Sequence, residues 1–172
     1  MKRLSILRHA KAAKDDPSLA DFDRPLTETG RADAAAMGVF MAGGAIAPDC
    51  LLSSPSRRTR ETFERLAPFI EPPAQALFPP RLYNAQESAI LEEIRAAPDE
   101  AQHLLLIGHN PGLHRLALGL ANKKRSSRAA LAQLDAKFPP GAIACFEAEI
   151  SHWFEIGANN TALVLFKAPL RY

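Results

Sequence analysis

The chain has 172 residues, 47% apolar and 23% charged, which are globular averages and exclude disorder, collagen-like repeats and coiled coil. Twenty-one Lys and Arg against nineteen Asp and Glu leave a net charge of +2, too small a bias to point to nucleic acid as the main partner. Cys50 and Cys145 stand far apart, with no CxxC and no cysteine–histidine ligand spacing, so a reduced, cytoplasmic chain that needs neither disulfide nor structural metal is expected.

In chain order, residues 4–7 read as a first strand, and Arg8 and His9 cut its apolar run far short of a signal peptide or membrane span. An alanine-rich helix over 27–41 follows, with Thr27 as N-cap and Gly43-Gly44 ending it. Residues 50–53 form a second strand. Ser54 as N-cap and Pro55 at the first helical position open a helix to about residue 69. The proline-rich stretch 71–80 reads as a loop, and 85–97 as a helix ending before Pro98. Residues 104–107 are apolar throughout, as in a buried parallel strand. A helix over 113–120 follows, and 142–150 and 162–166 are two further strands. Strands alternating with helices, without repeat or linker, predict one α/β domain over residues 1–172: three layers, α/β/α, on a mostly parallel central sheet.

Three segments share a layout of apolar strand, polar or basic residues, then helix start. They are 4–7 with Arg8-His9, 50–52 with Ser53-Ser54-Pro55 and Arg57-Arg58, and 104–107 with Gly108-His109-Asn110. The carboxyl ends of parallel strands line the ligand crevice of an open sheet, so these tips bring two histidines and at least two arginines into one pocket. Guanidinium forks bind phosphoryl oxygens bidentately and stay charged. A neutral imidazole beside them can attack phosphorus, and a second can donate to the oxygens as charge shifts. Two guanidinium groups already neutralise a phosphate dianion, so no metal and no cofactor is expected.

Leu7-Arg8-His9-Ala10 resembles the Arg-His signature of the histidine phosphatase superfamily, whose fold is phosphoglycerate mutase-like, and in particular its SixA-type phosphohistidine phosphatase branch. The similarity continues, in family order and over nearly the whole chain, at Arg24-Pro25-Leu26-Thr27 with Gly30 and at Leu52-Ser53-Ser54-Pro55-Ser56-Arg57-Arg58-Thr59-Arg60-Glu61-Thr62. It resumes at Ile107-Gly108-His109-Asn110-Pro111 and at Phe138-Pro139-Pro140-Gly141-Ala142-Ile143-Ala144, with Trp153 beyond. The resemblance implies His9 as nucleophile and Arg8 as its phosphate-binding neighbour. It implies Arg58, three residues after the proline, as a second phosphate ligand, His109 as the second histidine, and Arg24 as a substrate contact near the mouth. Where many members carry a Leu-x-Glu with a general acid, this chain has Arg81-Leu82-Tyr83; Glu87 is the nearest acidic residue that could substitute. An imidazole leaving group, with a conjugate-acid pKa of about 6.5, needs an acid far less than an alkoxide does. The expected activity is removal of phosphate from a phosphohistidine on a signalling or phosphocarrier protein, through a phosphohistidine enzyme intermediate, with no nucleic acid or membrane as partner.

Two other readings stay open: a phosphatase of a small phosphoester or nucleotide, and a phosphoprotein-binding module without turnover. Other phosphatase chemistries do not fit. Cys50 precedes Arg57 by seven positions rather than the six of a Cys-x5-Arg loop, and Asp21-Phe22-Asp23 has Pro25 where an aspartyl-nucleophile motif needs Thr or Val. Arg57 and Arg60 read as helix-surface charges, His103, His114 and His152 as fillers, and Lys123-Lys124-Arg125 with Arg128 as a solvated loop.

Overall fold

The computed structural model describes residues 1–14 and 16–170. Six strands form one sheet: β1 (Lys2–Arg8), β2 (Cys50–Ser53), β3 (Gln75–Leu77), β4 (His103–Gly108), β5 (Ile143–Ala148) and β6 (Thr161–Lys167), in the order β3-β2-β4-β1-β5-β6. The first four pair in parallel, whereas β5 runs antiparallel to both β1 and β6. The sheet is therefore mixed, with β5 alone reversed.

Side-chain alternation along the strands divides the core in two. Leu4, Ile6, Leu104 and Leu106 point to the face covered by α3 (Glu87–Arg95), α4 (Gly112–Leu120) and α5 (Arg128–Ala136). Leu7, Leu51, Leu105 and Ile107 point to the other, covered by α1 (Glu28–Gly43) and α2 (Arg57–Leu66). The expected three-layer α/β/α arrangement follows from these two buried stripes. β4 is buried at all six positions, as the apolar run 104–107 within it requires.

Local starts and stops differ from the expectation at three places. Thr27 does cap α1, accepting from the Gly30 N–H at 3.0 Å. The helix after β2 starts at Arg57 with Ser56 as N-cap, not at Pro55. Ser54 is still bound to the sheet, its N–H donating to the Ile107 carbonyl at 3.0 Å. The proline-rich stretch contains β3, a three-residue edge strand with exposed side chains, held to β2 through the backbone; prolines flank it and none lies inside it. Finally, Arg128 belongs to α5 rather than to a loop. Ser127 caps that helix, accepting from the Ala130 N–H at 3.3 Å, and Ala130 and Leu134 bury one side of it.

Candidate active site

The tips of β1, β2 and β4 meet at one end of the sheet around a cavity of about 370 Å³, bordered by Arg8, His9, Arg24, Arg58, His109 and Asn110, with Asp21 at its rim. Backbone bonds tie the tips together. The His9 N–H donates to the Gly108 carbonyl at 3.1 Å, and the Gly141 N–H reaches the carbonyls of Arg8 at 3.1 Å and His9 at 3.0 Å. Gly141 does so with a φ of 78°, a conformation that L side chains rarely adopt. Thr62 on α2 accepts the Ala10 N–H at 3.0 Å and donates to the Arg58 carbonyl at 2.7 Å. Glu61 accepts the Leu26 N–H at 2.8 Å. The β1 tip, the start of α2 and the segment before α1 are thus one hydrogen-bonded unit.

The side chains are equally fixed. His9 Nδ1 lies 2.8 Å from the Ala10 carbonyl. A carbonyl can only accept, so Nδ1 carries the proton and Nε2 presents a lone pair. Burial, reinforced by Arg58, Arg8 and Arg24, brings the His9 pKa down to about 3 against the opposing pull of the Ala10 bond. His109, its ring centroid 5.2 Å from that of His9, is also lowered to about 3, by burial first and then by His9 and Arg58. Both rings are neutral near pH 7. His109 Nε2 meets Ser54 Oγ at 2.7 Å, while its Nδ1 is buried without a hydrogen-bond partner. Arg8 donates to the Phe138 carbonyl at 2.9 Å, which also receives the Asn110 amide at 2.9 Å.

Arg58 is 2% exposed, donates to the Asp21 carbonyl at 2.7 Å and to Asp21 Oδ2 at 3.1 Å, and keeps a buried Nε without a partner. Arg58 Nε, His109 Nδ1 and Asn110 Oδ1 all lack a partner, and all three residues line this cavity. Buried polar atoms are normally satisfied, so their convergence marks the place where a polar ligand completes the network. Two guanidinium groups and an imidazole nitrogen without a partner suit an anion with several oxygens.

The structure thus brings together His9, Arg8, Arg58, His109 and Arg24, all singled out in the sequence. Glu87 sits at the start of α3 and is not among the cavity-lining residues. Arg57 points outward to Glu61 at 2.7 Å, and Arg60 lies over the Phe78 ring. Among the described residues no group of three or more His, Cys, Asp or Glu side chains could hold a metal ion. Asp21 and Tyr83 are additions. Asp21 Oδ2 accepts from the Tyr83 hydroxyl as well as from Arg58, and Oδ1 accepts from Arg24 Nε at 2.9 Å. Asp21 reaches the cavity on a short 3-10 turn, Asp21–Asp23, and the placing of that turn has no periodic signal in the sequence.

The family description "Histidine phosphatase superfamily (branch 1)" matches residues 4–82. An uncharacterised protein of Mycobacterium tuberculosis is 34% identical over 163 residues, covering 95% of this chain and 99% of its own length. A solved structure assigned as the phosphohistidine phosphatase SixA of Agrobacterium tumefaciens is 30% identical, covers 98% of both chains and superposes with a TM-score of 0.81. One assigned likewise from Nakamurella multipartitia is 27% identical, covering 98% of this chain and 96% of its own, with a TM-score of 0.85. Fold and site define a phosphatase hydrolase, and the chain belongs to the histidine phosphatase superfamily. Within that superfamily it is of the SixA type.

Proposed function

We propose that this chain, as a single catalytic domain over residues 1–172, removes phosphate from phosphohistidine on a signalling or phosphocarrier protein. The observation that carries the reading is the His9 imidazole. It is neutral, fixed by the Ala10 carbonyl in the tautomer with Nε2 unprotonated, and set between Arg8, Arg58 and His109. Nε2 attacks phosphorus while the bond to the substrate nitrogen breaks. Arg8 and Arg58 hold the phosphoryl oxygens, and His109 Nδ1–H donates to an oxygen as charge builds there. In the second half, water attacks the phosphorus on His9 and the neutral imidazole leaves. The Ala10 carbonyl stabilises the phosphorylated ring, because Nδ1 keeps its proton there while Nε2 bears the phosphoryl group. Arg24 borders the mouth and contacts the body of the substrate. None of the described residues that line the cavity is a glutamate that could protonate an alkoxide, which favours a nitrogen-linked phosphate over an ester. A reducing, cytoplasmic setting agrees with two free, buried cysteines, and no helix among the described residues is long and apolar enough to cross a membrane.

The test is brief reaction with a labelled phosphohistidine protein. Wild type is expected to trap label on His9 and release phosphate, and His9→Ala to do neither, losing at least about a thousandfold in kcat as nucleophile deletions do. Undiminished hydrolysis by His9→Ala overturns the mechanism, and faster turnover of small phosphoesters than of phosphohistidine reassigns the substrate.

A further inference from the structure

Among the described residues that line the cavity, Asp21 is the one carboxylate. Its neighbours use three acceptor positions: Arg24 Nε on Oδ1, and Arg58 and Tyr83 on Oδ2. Two carboxylate oxygens offer about four, so one position on Oδ1 is left, on a side chain that remains 43% exposed at the mouth. The Tyr83 hydroxyl above all, with Arg58 and Arg24, holds the Asp21 carboxyl well below the usual carboxylate range. An ionised Asp21 has no proton to give. It is therefore not the acid missing from this site, and its fixed negative charge at the mouth of a cationic cavity calls for a cationic or N–H-bearing leaving group.

Resting on the phosphohistidine reading above, we propose that Asp21 is the specificity-determining residue. Its Oδ1 accepts the N–H of the substrate ring nitrogen that does not bear phosphorus, and so selects the protonated, cationic form of the phosphorylated imidazole. The step then balances without any proton from the protein. As His9 Nε2 bonds to phosphorus, the electrons of the breaking P–N bond return to the substrate ring, which leaves as neutral imidazole with its proton still on the nitrogen held by Asp21. The arrangement mirrors the enzyme side, where the Ala10 carbonyl holds the N–H of His9. An alkoxide gains nothing from Asp21, because the carboxylate repels the charge developing on oxygen.

The charged groups facing Asp21 are Arg24 and Arg58 in contact, with Arg8 and Lys11 elsewhere on the cavity wall, while Tyr83 is neutral and both histidines are neutral above about pH 3. The group that titrates near neutrality is thus the bound substrate ring, and a carboxylate beside it raises its pKa by about one unit or more.

The experiment compares wild type and Asp21→Asn on a phosphohistidine peptide and on p-nitrophenyl phosphate, with kcat followed from pH 5 to 9. The expected result is a loss on the peptide exceeding that on the aryl ester by about tenfold, and an alkaline limb of the peptide profile displaced downward by about one pH unit. Equal losses on both substrates with an unmoved limb, in an enzyme that still prefers the peptide, overturn the role of Asp21 and leave the phosphohistidine reading standing. A wild-type enzyme that prefers the aryl ester overturns both. Unequal thermal midpoints of the two proteins do not mimic the expected result, because lost folded enzyme lowers both activities alike and moves no limb.

Discussion

Ser54 is the hydrogen-bond partner of His109 Nε2. Its Oγ lies 2.7 Å from His109 Nε2 and accepts the Ser56 N–H at 3.4 Å. A hydroxyl has one proton and two lone pairs, and the mechanism proposed above takes Ser54 as the donor to Nε2, which leaves the ring proton on Nδ1, the buried nitrogen without a partner. In the proposed mechanism that proton meets a phosphoryl oxygen. Ser54→Ala removes the donor, lets the other tautomer compete and leaves Nε2 buried without a partner, a cost of about 1–3 kcal/mol. The expected outcome is a fall in kcat of about tenfold or more with a smaller change in KM. The nitrogen chemical shifts of the His109 ring, which report tautomer directly, are expected to change alongside. A tautomer shift without loss of kcat would separate His109 from the chemistry.

At the level of elements, the core strands were legible because burial on both faces leaves an unbroken apolar signature, as in β4. α1 was legible through its capping threonine and its length. β3 was not, because a three-residue edge strand is held by backbone bonds and buries no side chain. α5 was not, although its alanine and leucine content favours a helix, because its start follows closely on the basic stretch 123–125 and carries no apolar period of its own. At the site, the residues at strand tips could be found from the pattern of apolar run and basic tip. Asp21 and Tyr83 could not, since their placing depends on tertiary bonds, from Arg58 to Asp21 and from Tyr83 to Asp21. The joint between β1 and α1 is testable. A Cβ on Gly30 would lie 2.1 Å from the Lys11 carbonyl oxygen, which itself accepts the Thr27 N–H at 2.9 Å. Backbone faces backbone there, so nothing can yield without moving Lys11, two residues from His9. Gly30→Ala is expected to destabilise by about 1–3 kcal/mol and to lower kcat as well. Gly119→Ala in α4 meets nothing within 4 Å and is expected to stabilise by about 0.5–1 kcal/mol, the helix propensity difference. Urea midpoints of the two variants should move in opposite directions.

For the whole molecule, the histidines set how stability responds to acid. His9 and His109 are lowered to about 3 and His103 to about 4, each chiefly by burial. His103 lies far along β4 from the catalytic tip, its Nε2 2.8 Å from Ser5 Oγ. In the unfolded chain all three return to about 6.5. Between those values the unfolded chain binds protons that the native protein refuses, so folding stability rises with pH through this window and levels off above it. Lowering the pH from about 6.5 towards 4 should therefore cost stability with a slope approaching three protons per molecule. Asp16, Asp21, Asp99 and Glu155 have lowered pKa values too. Their contribution is present above the unfolded carboxylate pKa of about 4 and is lost below it, so the histidines dominate between about pH 6.5 and 4 and the two sets overlap only below that. His103→Gln keeps a polar side chain opposite Ser5 and is expected to reduce the slope between pH 4 and 6.5 by about one proton. Urea denaturation at half-unit pH intervals measures this slope directly. An unchanged slope would mean that His103 is protonated in the native state at these pH values, against the burial that holds it neutral. The same burial that keeps His9 neutral, as the proposed nucleophile must be, thus makes the folded protein acid-sensitive, and a variant that gains acid stability by exposing His9 is expected to lose turnover with it.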